Sequence, residues 1–436
     1  MEPPTAENAL SRRTRVSGRA REIIAKLGIA AAMTVAMLAL IETGSFWVLR
    51  RENVTPLYRH LASSTLYQGE PWANDLKREM RHSLNLDYRP YVVWEAAPLQ
   101  GKAVVIGQDG LRRTWYSQCD DGKAYTIWMF GGSTLWGWGS PDWATIPSQL
   151  AQRYEKSGRT VCVRNYGQPA WVNTQEVIQL FLELKRATRP PDLVVFYDGV
   201  NDAYSFYQSG GRIDVHHNVD SIARGFKHLE AARGGSFEYW SDTNTAQLLL
   251  KVGLWLREQK GETRVKSASD ADLKRQLEVA YLKNLELVEL LARQYGFAYA
   301  FFWQPCLLTG AKPLTREELA LRHDADHELG REAVGELGRM YDLVRGVERP
   351  HLFCITDAFD KQSETLYLDW MHVGPQGNGL IAARMFGILA GSVARESTAR
   401  DLSVTPDAWR GDGSEKRIDK RSDRRTLSEN DEDSKG

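Results

Sequence analysis

From Ala124 onward the sequence alternates short apolar runs with longer amphipathic stretches, and this alternation limits the possible folds more than any other feature. Candidate strands lie at 125–130, 160–165, 192–197, 297–303 and 351–355. Candidate helices lie around 143–156, 173–188, 272–295, 316–343 and 375–394. In the third helix Leu277, Ala280, Tyr281, Val288, Leu291, Ala292 and Tyr295 recur at helical spacing, so that face is expected to meet a sheet. Such alternation predicts an α/β domain built on a doubly wound, mostly parallel sheet with helices on both faces. Ligands of such sheets bind at the carboxyl ends of the strands. The residues just beyond each apolar run are therefore where chemistry is expected.

The first run ends in Met129-Phe130-Gly131-Gly132-Ser133-Thr134. Two glycines permit a sharp turn and a close approach by another group. Ser133 is a candidate nucleophile, although a lone Gly-Gly-Ser is equally an ordinary turn or a phosphate cradle. The second run ends in Asn165-Tyr166-Gly167-Gln168-Pro169, where Gly167 can aim a backbone N–H into a cleft. The third ends in Tyr197-Asp198-Gly199-Val200-Asn201-Asp202 and brings an asparagine amide to the same edge. Near the end of the domain, Asp369-Trp370-Met371-His372 sets a carboxylate three residues before an imidazole. In a turn both side chains can face one way.

Singly, these are a strand terminator, a turn residue and a surface pair. Together they supply what acyl transfer requires. A serine hydroxyl is a weak nucleophile until a base takes its proton, and histidine titrates in the right range. A carboxylate on the far ring nitrogen fixes the tautomer and stabilises the imidazolium. The Ser133 and Gly167 N–H groups and the Asn201 amide would serve the oxyanion of the tetrahedral intermediate.

In order and spacing, over about 125–394, these blocks resemble those of the SGNH (GDSL) hydrolase superfamily. The resemblance implies a three-layer α/β/α, flavodoxin-like domain. It implies Ser133 as nucleophile, His372 as general base and Asp369 as the acid that orients it. Gly167 and Asn201, with the Ser133 N–H, would form the oxyanion hole. The family's Gly-Asp-Ser-Leu stands here as Gly131-Gly132-Ser133-Thr134. The missing aspartate has no catalytic role, so the departure leaves the triad intact and the substrate open. No Gly-x-Ser-x-Gly elbow surrounds Ser133, which argues against the α/β-hydrolase fold.

Other residues near the predicted cleft are weaker candidates. Gln304 follows a strand end, and Trp136, Trp138 and Trp171 can form either a sugar-stacking wall or part of the core. His216-His217 and the pair His323 and His327 lack a patterned third ligand, so no metal is expected, and no cofactor. Among the four cysteines no CxxC occurs. Cys162 and Cys354 read as small core residues, with a disulfide left open because pairing depends on geometry.

The flanks are of different character. Residues 1–26 are polar and basic, and 27–49 are largely apolar and carry no charge except Glu42. At about 1.5 Å per residue these 23 residues match a bilayer core of about 30 Å. Arginine and lysine are richer before this segment than just after it, so the N-terminus is expected in the cytoplasm and the body outside the cytoplasmic membrane, on a single-pass anchor. A cleaved signal peptide is the weaker reading, since no small-x-small site follows. Residues 50–123 read as an accessory β region, with 88–94 as a strand and 107–110 as a turn. Residues 124–394 form the hydrolase-like domain, interrupted by an insertion at about 205–271 that reads as a lid or a substrate-shaping subdomain over the site. Within it lies an amphipathic piece around 246–256. Residues 395–436 carry alternating charges, few apolar residues and the composition of disorder.

Lysine plus arginine equals aspartate plus glutamate at 56 each, so no nucleic-acid partner is indicated. The expected function is a membrane-anchored serine esterase acting on acyl, chiefly O-acetyl, esters of envelope or exported polysaccharide. An O-acyltransferase using the same triad and a non-catalytic glycan-binding or assembly protein are the alternatives. Oligomeric state is not legible.

Overall fold

The five apolar runs do form one sheet. The computed structural model describes residues 6–52, 56–83, 85–119, 122–232, 243–246, 248, 249, 252 and 268–400. The chain divides into two units, Met1–Leu389 and Ala390–Gly436, and the sheet belongs to the first. In chain order the strands among these residues are β1 (Leu86–Arg89), β2 (Val93–Ala96), β3 (Leu99–Gln100), β4 (Val105–Ile106), β5 (Tyr125–Gly131), β6 (Val161–Asn165), β7 (Leu193–Asp198), β8 (Ala298–Trp303) and β9 (Leu352–Cys354). The last five pair in parallel in the order β6-β5-β7-β8-β9. Counted within that sheet the order is 2-1-3-4-5, the flavodoxin-like arrangement with its switch point between β5 and β7.

Helices cover both faces, which is why β7 is buried at every residue and reads as one apolar run. On one face Phe130, Phe196 and Phe301 stack across three strands and meet α6 (Asn173–Arg186), α9 (Asp270–Leu277), α10 (Lys283–Tyr295) and α12 (Arg331–Arg345). On the other, Met129, Val195 and Phe302 meet α5 (Ile146–Lys156) and α13 (Pro375–Arg400). The three-layer expectation holds. The expected face of the third helix is also buried at Leu277, Ala280, Tyr281, Val288 and Ala292.

Two predicted boundaries change. The stretch 316–343 is not one helix but α11 (Arg316–Glu328) and α12, broken at Gly330, whose φ of 84° ends a helix at no steric cost to glycine. The expected strand 88–94 is the hairpin β1–β2, with Arg89 opposite Val93. Pro90 lacks a ladder donor, and Tyr91 at φ 73° turns the chain. Beyond 395, helix α13 continues to Arg400. The rest of the expected disordered tail, and most of the 246–256 piece, lie outside the described residues.

Cys162 is not merely a core residue. It is disulfide-bonded to Cys119, Cα to Cα 4.7 Å. Strand β6 is an edge strand, and residues 117–118 run along it: Ser117 Oγ accepts from the Val163 N–H and donates to the Val163 carbonyl. This covering brings Cys119 beside Cys162 and shields an edge that would otherwise offer unpaired backbone groups.

Before the sheet lie α1 (Ala6–Glu52), α2 (Pro56–Ser63) and α3 (Ala73–His82), while α8 (Val219–Ala232) falls between β7 and β8. Within α1, Glu22–Val48 is the one stretch among the described residues long and apolar enough to cross a membrane.

Candidate active site

The short helix α4 (Ser133–Trp136) starts directly at the carboxyl end of β5, and Ser133 is its first residue. Gly132 is needed there for space: a Cβ on it would lie 2.2 Å from Asn201 Nδ2. Asn201 sits in α7 (Val200–Gln208), at the carboxyl end of β7, so the switch point brings hydroxyl and amide together. Its Nδ2 donates one hydrogen to the Trp171 carbonyl at 2.8 Å and keeps the other available.

The structure brings Ser133, His372 and Asp369 into contact. Ser133 Oγ lies 2.7 Å from His372 Nε2, and His372 Nδ1 donates to Asp369 Oδ2 at 2.7 Å. Asp369 and His372 are each 2 % exposed. The turn between them is closed on itself: Asp369 Oδ1 accepts the N–H groups of Met371 and His372, and the Leu368 N–H donates to the His372 carbonyl. Burial alone would raise the Asp369 carboxyl. The imidazole and the two backbone donors outweigh it and hold the group below its usual range.

Gly167 does not play the part the sequence suggested. Its N–H donates to Asn165 Oδ1 at 3.0 Å, and a Cβ there would meet the Trp136 backbone nitrogen at 2.6 Å. The glycine is required for packing against α4. Pro169, Ala170 and Val172 of this loop border the cavity instead, and Ala170 is held at φ 59°. A left-handed alanine costs about 1–2 kcal/mol, and such strain persists where the surroundings enforce it. The enforcement is visible. Trp94 Nε1 donates to the Pro169 carbonyl and Trp171 Nε1 to the Trp94 carbonyl. Gln168 accepts from the Ala96 N–H and donates to the Gly110 carbonyl. The accessory hairpin thus clamps the loop after β6, a role its sequence did not disclose.

Trp136 and Trp171 are buried and do not border the cavity, because the guanidinium of Arg112 stacks on the first and the hairpin covers the second. Of the three tryptophans, Trp138 alone reaches it. Gln304 also stands back from the cavity, accepting from Thr134 Oγ1 at 2.9 Å. The cavity beside Ser133 has a volume of about 230 Å³, and its walls include Pro169, Val172, Tyr204, His217 and Met371. Burial, with His216 adding to it, pushes His217 down to about 4, so its ring presents a polar but uncharged edge. Ser205, Gln208 and His217, which border the cavity, fall within 205–217.

Two buried groups were missed in the sequence. Arg112, 1 % exposed, donates to Asp142 and to the carbonyls of Trp136, Gly137 and Ser140, and so fixes the segment leaving α4. Replacing it by methionine leaves Asp142 with the Val105 N–H and, as its one remaining cation, the half-exposed Arg113. The expected loss is about 3–5 kcal/mol of stability, read as a lower urea midpoint.

The second group is Glu176, Asp198 and Asp202, all buried, on α6, β7 and α7 around Asn201. Asn173 donates to Asp198 and Asp202, while both oxygens of Glu176 and one of each aspartate have no partner. Burial pushes Asp198 up to about 7 and the other two well above their ordinary range, with charge on Asp198 adding to both. The folded state therefore holds protons that the unfolded chain releases near pH 4. Stability is full below that pH and falls as pH rises through about 7. Urea midpoints in detergent should drop between pH 5 and pH 8, and Glu176→Gln should flatten the slope. A flat wild-type profile would contradict the raised carboxyls.

No family model matches the chain, and no curated protein matches it. Among solved structures it is similar to an acetyl xylan esterase, AlAXEase, at 12% identity over 60% of this chain and 98% of that one, with a TM-score of 0.31. It is similar to a member of the lipolytic protein G-D-S-L family from Veillonella parvula at 12% identity, covering 61% and 98%, TM-score 0.31. A lipase/acylhydrolase from Enterococcus faecalis matches at 15%, covering 61% and 96%, TM-score 0.31. At such identity the chemistry must be read from this chain's own geometry.

Proposed function

We propose that the chain is a membrane-anchored serine esterase that cleaves acyl esters through an acyl-enzyme. The observation that carries this is the continuous relay from Asp369 through His372 to Ser133 Oγ, opening on a cavity beside an unspent amide hydrogen of Asn201. His372 takes the Ser133 proton as Oγ attacks the ester carbonyl. The oxyanion is met by the Asn201 amide and the N–H groups of Ser133 and Ala170. Collapse expels the alcohol, which takes the proton from His372. Water, deprotonated by the same imidazole, then releases the acid.

Glu22–Val48 is read as a single anchor, with the basic N-terminus in the cytoplasm and the body outside. The Cys119–Cys162 disulfide supports that placement, because disulfides persist in oxidising compartments. A cavity of about 230 Å³ has room for a short acyl group. O-acetyl esters of envelope or exported polysaccharide are the substrate class we favour.

Purified protein in detergent should take a fluorophosphonate label and release acetate from an acetyl ester. Asn201→Ala should cut turnover on the order of 10²–10³-fold while the label is still accepted, more slowly. A wild type that neither labels nor cleaves rules out the catalytic reading.

A further inference from the structure

Glu42 is the anomaly of the apolar span, since a carboxylate within a bilayer must find partners. Among the described side chains of Glu22–Val48 every one is exposed except Glu42 and Ser45, which lie three residues apart on one face of α1. What covers them is the insertion. Glu42 Oε1 accepts from the backbone N–H and the side-chain amide of Asn244, at 2.6 and 2.7 Å. Oε2 accepts from the backbone N–H and the hydroxyl of Thr245, at 3.0 and 2.8 Å. Ser45 Oγ is 3.4 Å from Thr245 Oγ1.

Asn244, Thr245, Ala246, Leu248, Leu249 and Val252 are helical. The carboxylate therefore sits on the first N–H groups of that helix and does from another element what an N-cap aspartate does from its own. Four donors satisfy both oxygens, so a residue that would be costly in the span becomes a specific joint. The joint lies six residues from the Val48 end of the span, or about 9 Å along the helix. At that same end Phe46, Trp47 and Val48 are exposed, and so are Leu249 and Val252, three residues apart on the docked helix.

We propose that the insertion is a membrane-seated arm. Glu42 fixes its helix at Asn244 and Thr245 against the outer end of the anchor, and Leu249 and Val252 lie among the outer-leaflet acyl chains next to it. The occupant of this apolar face is lipid, because the face continues the surface of the span itself. This rests on the anchor reading given above. It joins the cavity to the membrane, since Gln208 and His217, from the start of the same insertion, border the cavity. A substrate ester presented at the membrane surface then meets a site whose wall is held there.

The test uses the full chain in native membranes. Ser45→Cys with Thr245→Cys places two thiols where side-chain oxygens stand 3.4 Å apart. Mild oxidation should cross-link most of the protein, and adding Glu42→Leu should lower the yield several-fold while the body stays trypsin-resistant. A fluorophore on Leu249→Cys should be quenched by lipids brominated in their acyl chains and shielded from iodide. Failure to cross-link in protein that resists carbonate extraction overturns the joint while leaving the anchor intact. Quenching by iodide but not by brominated lipid overturns the lipid seat. Release by carbonate overturns both this arm and the anchor reading beneath it.

Discussion

Ser133→Ala should lower turnover of an acetyl ester by about 10⁶-fold and abolish fluorophosphonate labelling, with thermal stability within about 0.5 kcal/mol of wild type. The size follows from what the hydroxyl does. Its oxygen forms the bond to the carbonyl carbon, and its proton goes to an imidazole already 2.7 Å away. No neighbouring hydroxyl stands in for it: Thr134 Oγ1 donates to Gln304 and Ser205 Oγ to the Asp202 carbonyl. The residual rate should be that of water in a site that still has oxyanion donors, on the order of 10³-fold over solution. The fold should not notice the change. Alanine suits a helix start, and the hydrogen bond to His372 is the one contact of the hydroxyl on which the geometry depends. Activity that survives the substitution would remove Ser133 from the mechanism and direct attention to another nucleophile.

What could be read in the sequence follows from how local each signal is. Ser133, Asn201 and the Asp369/His372 pair stand at strand ends or within one turn, so pattern and spacing alone brought them to one edge. The exchange of Gly167 for Ala170 was not legible. A left-handed φ is a property of the backbone, and alanine is among the last residues one would choose for it; only the clamp from Trp94, Gln168 and Trp171 makes it tenable. Trp136 looked available to a sugar because the guanidinium that covers it belongs to Arg112, far outside any local window. The acidic cluster under Asn201 comes from three elements and has no linear signature. Glu42 was visible as an oddity, while its partners, some 200 residues on, were not.

Asp369→Asn should cost about 10⁴-fold in turnover while leaving the fold near wild-type stability. The structure fixes how the asparagine must sit. Asp369 Oδ1 accepts the Met371 and His372 N–H groups, so the side-chain oxygen of asparagine stays there to keep those buried donors paired. Its NH₂ then falls where Oδ2 now receives His372 Nδ1–H. Two donors cannot face each other, and the imidazole answers by moving its proton to Nε2. In that tautomer Nε2 no longer accepts from Ser133, and the base is lost with hardly an atom displaced. Asp369→Ala separates this from a general loosening of the turn. It strips both backbone donors of their acceptor and should lower the urea midpoint as well as the rate, whereas the asparagine variant lowers the rate alone. If the two variants lose activity and stability in the same proportion, Asp369 holds the turn and does not set the tautomer.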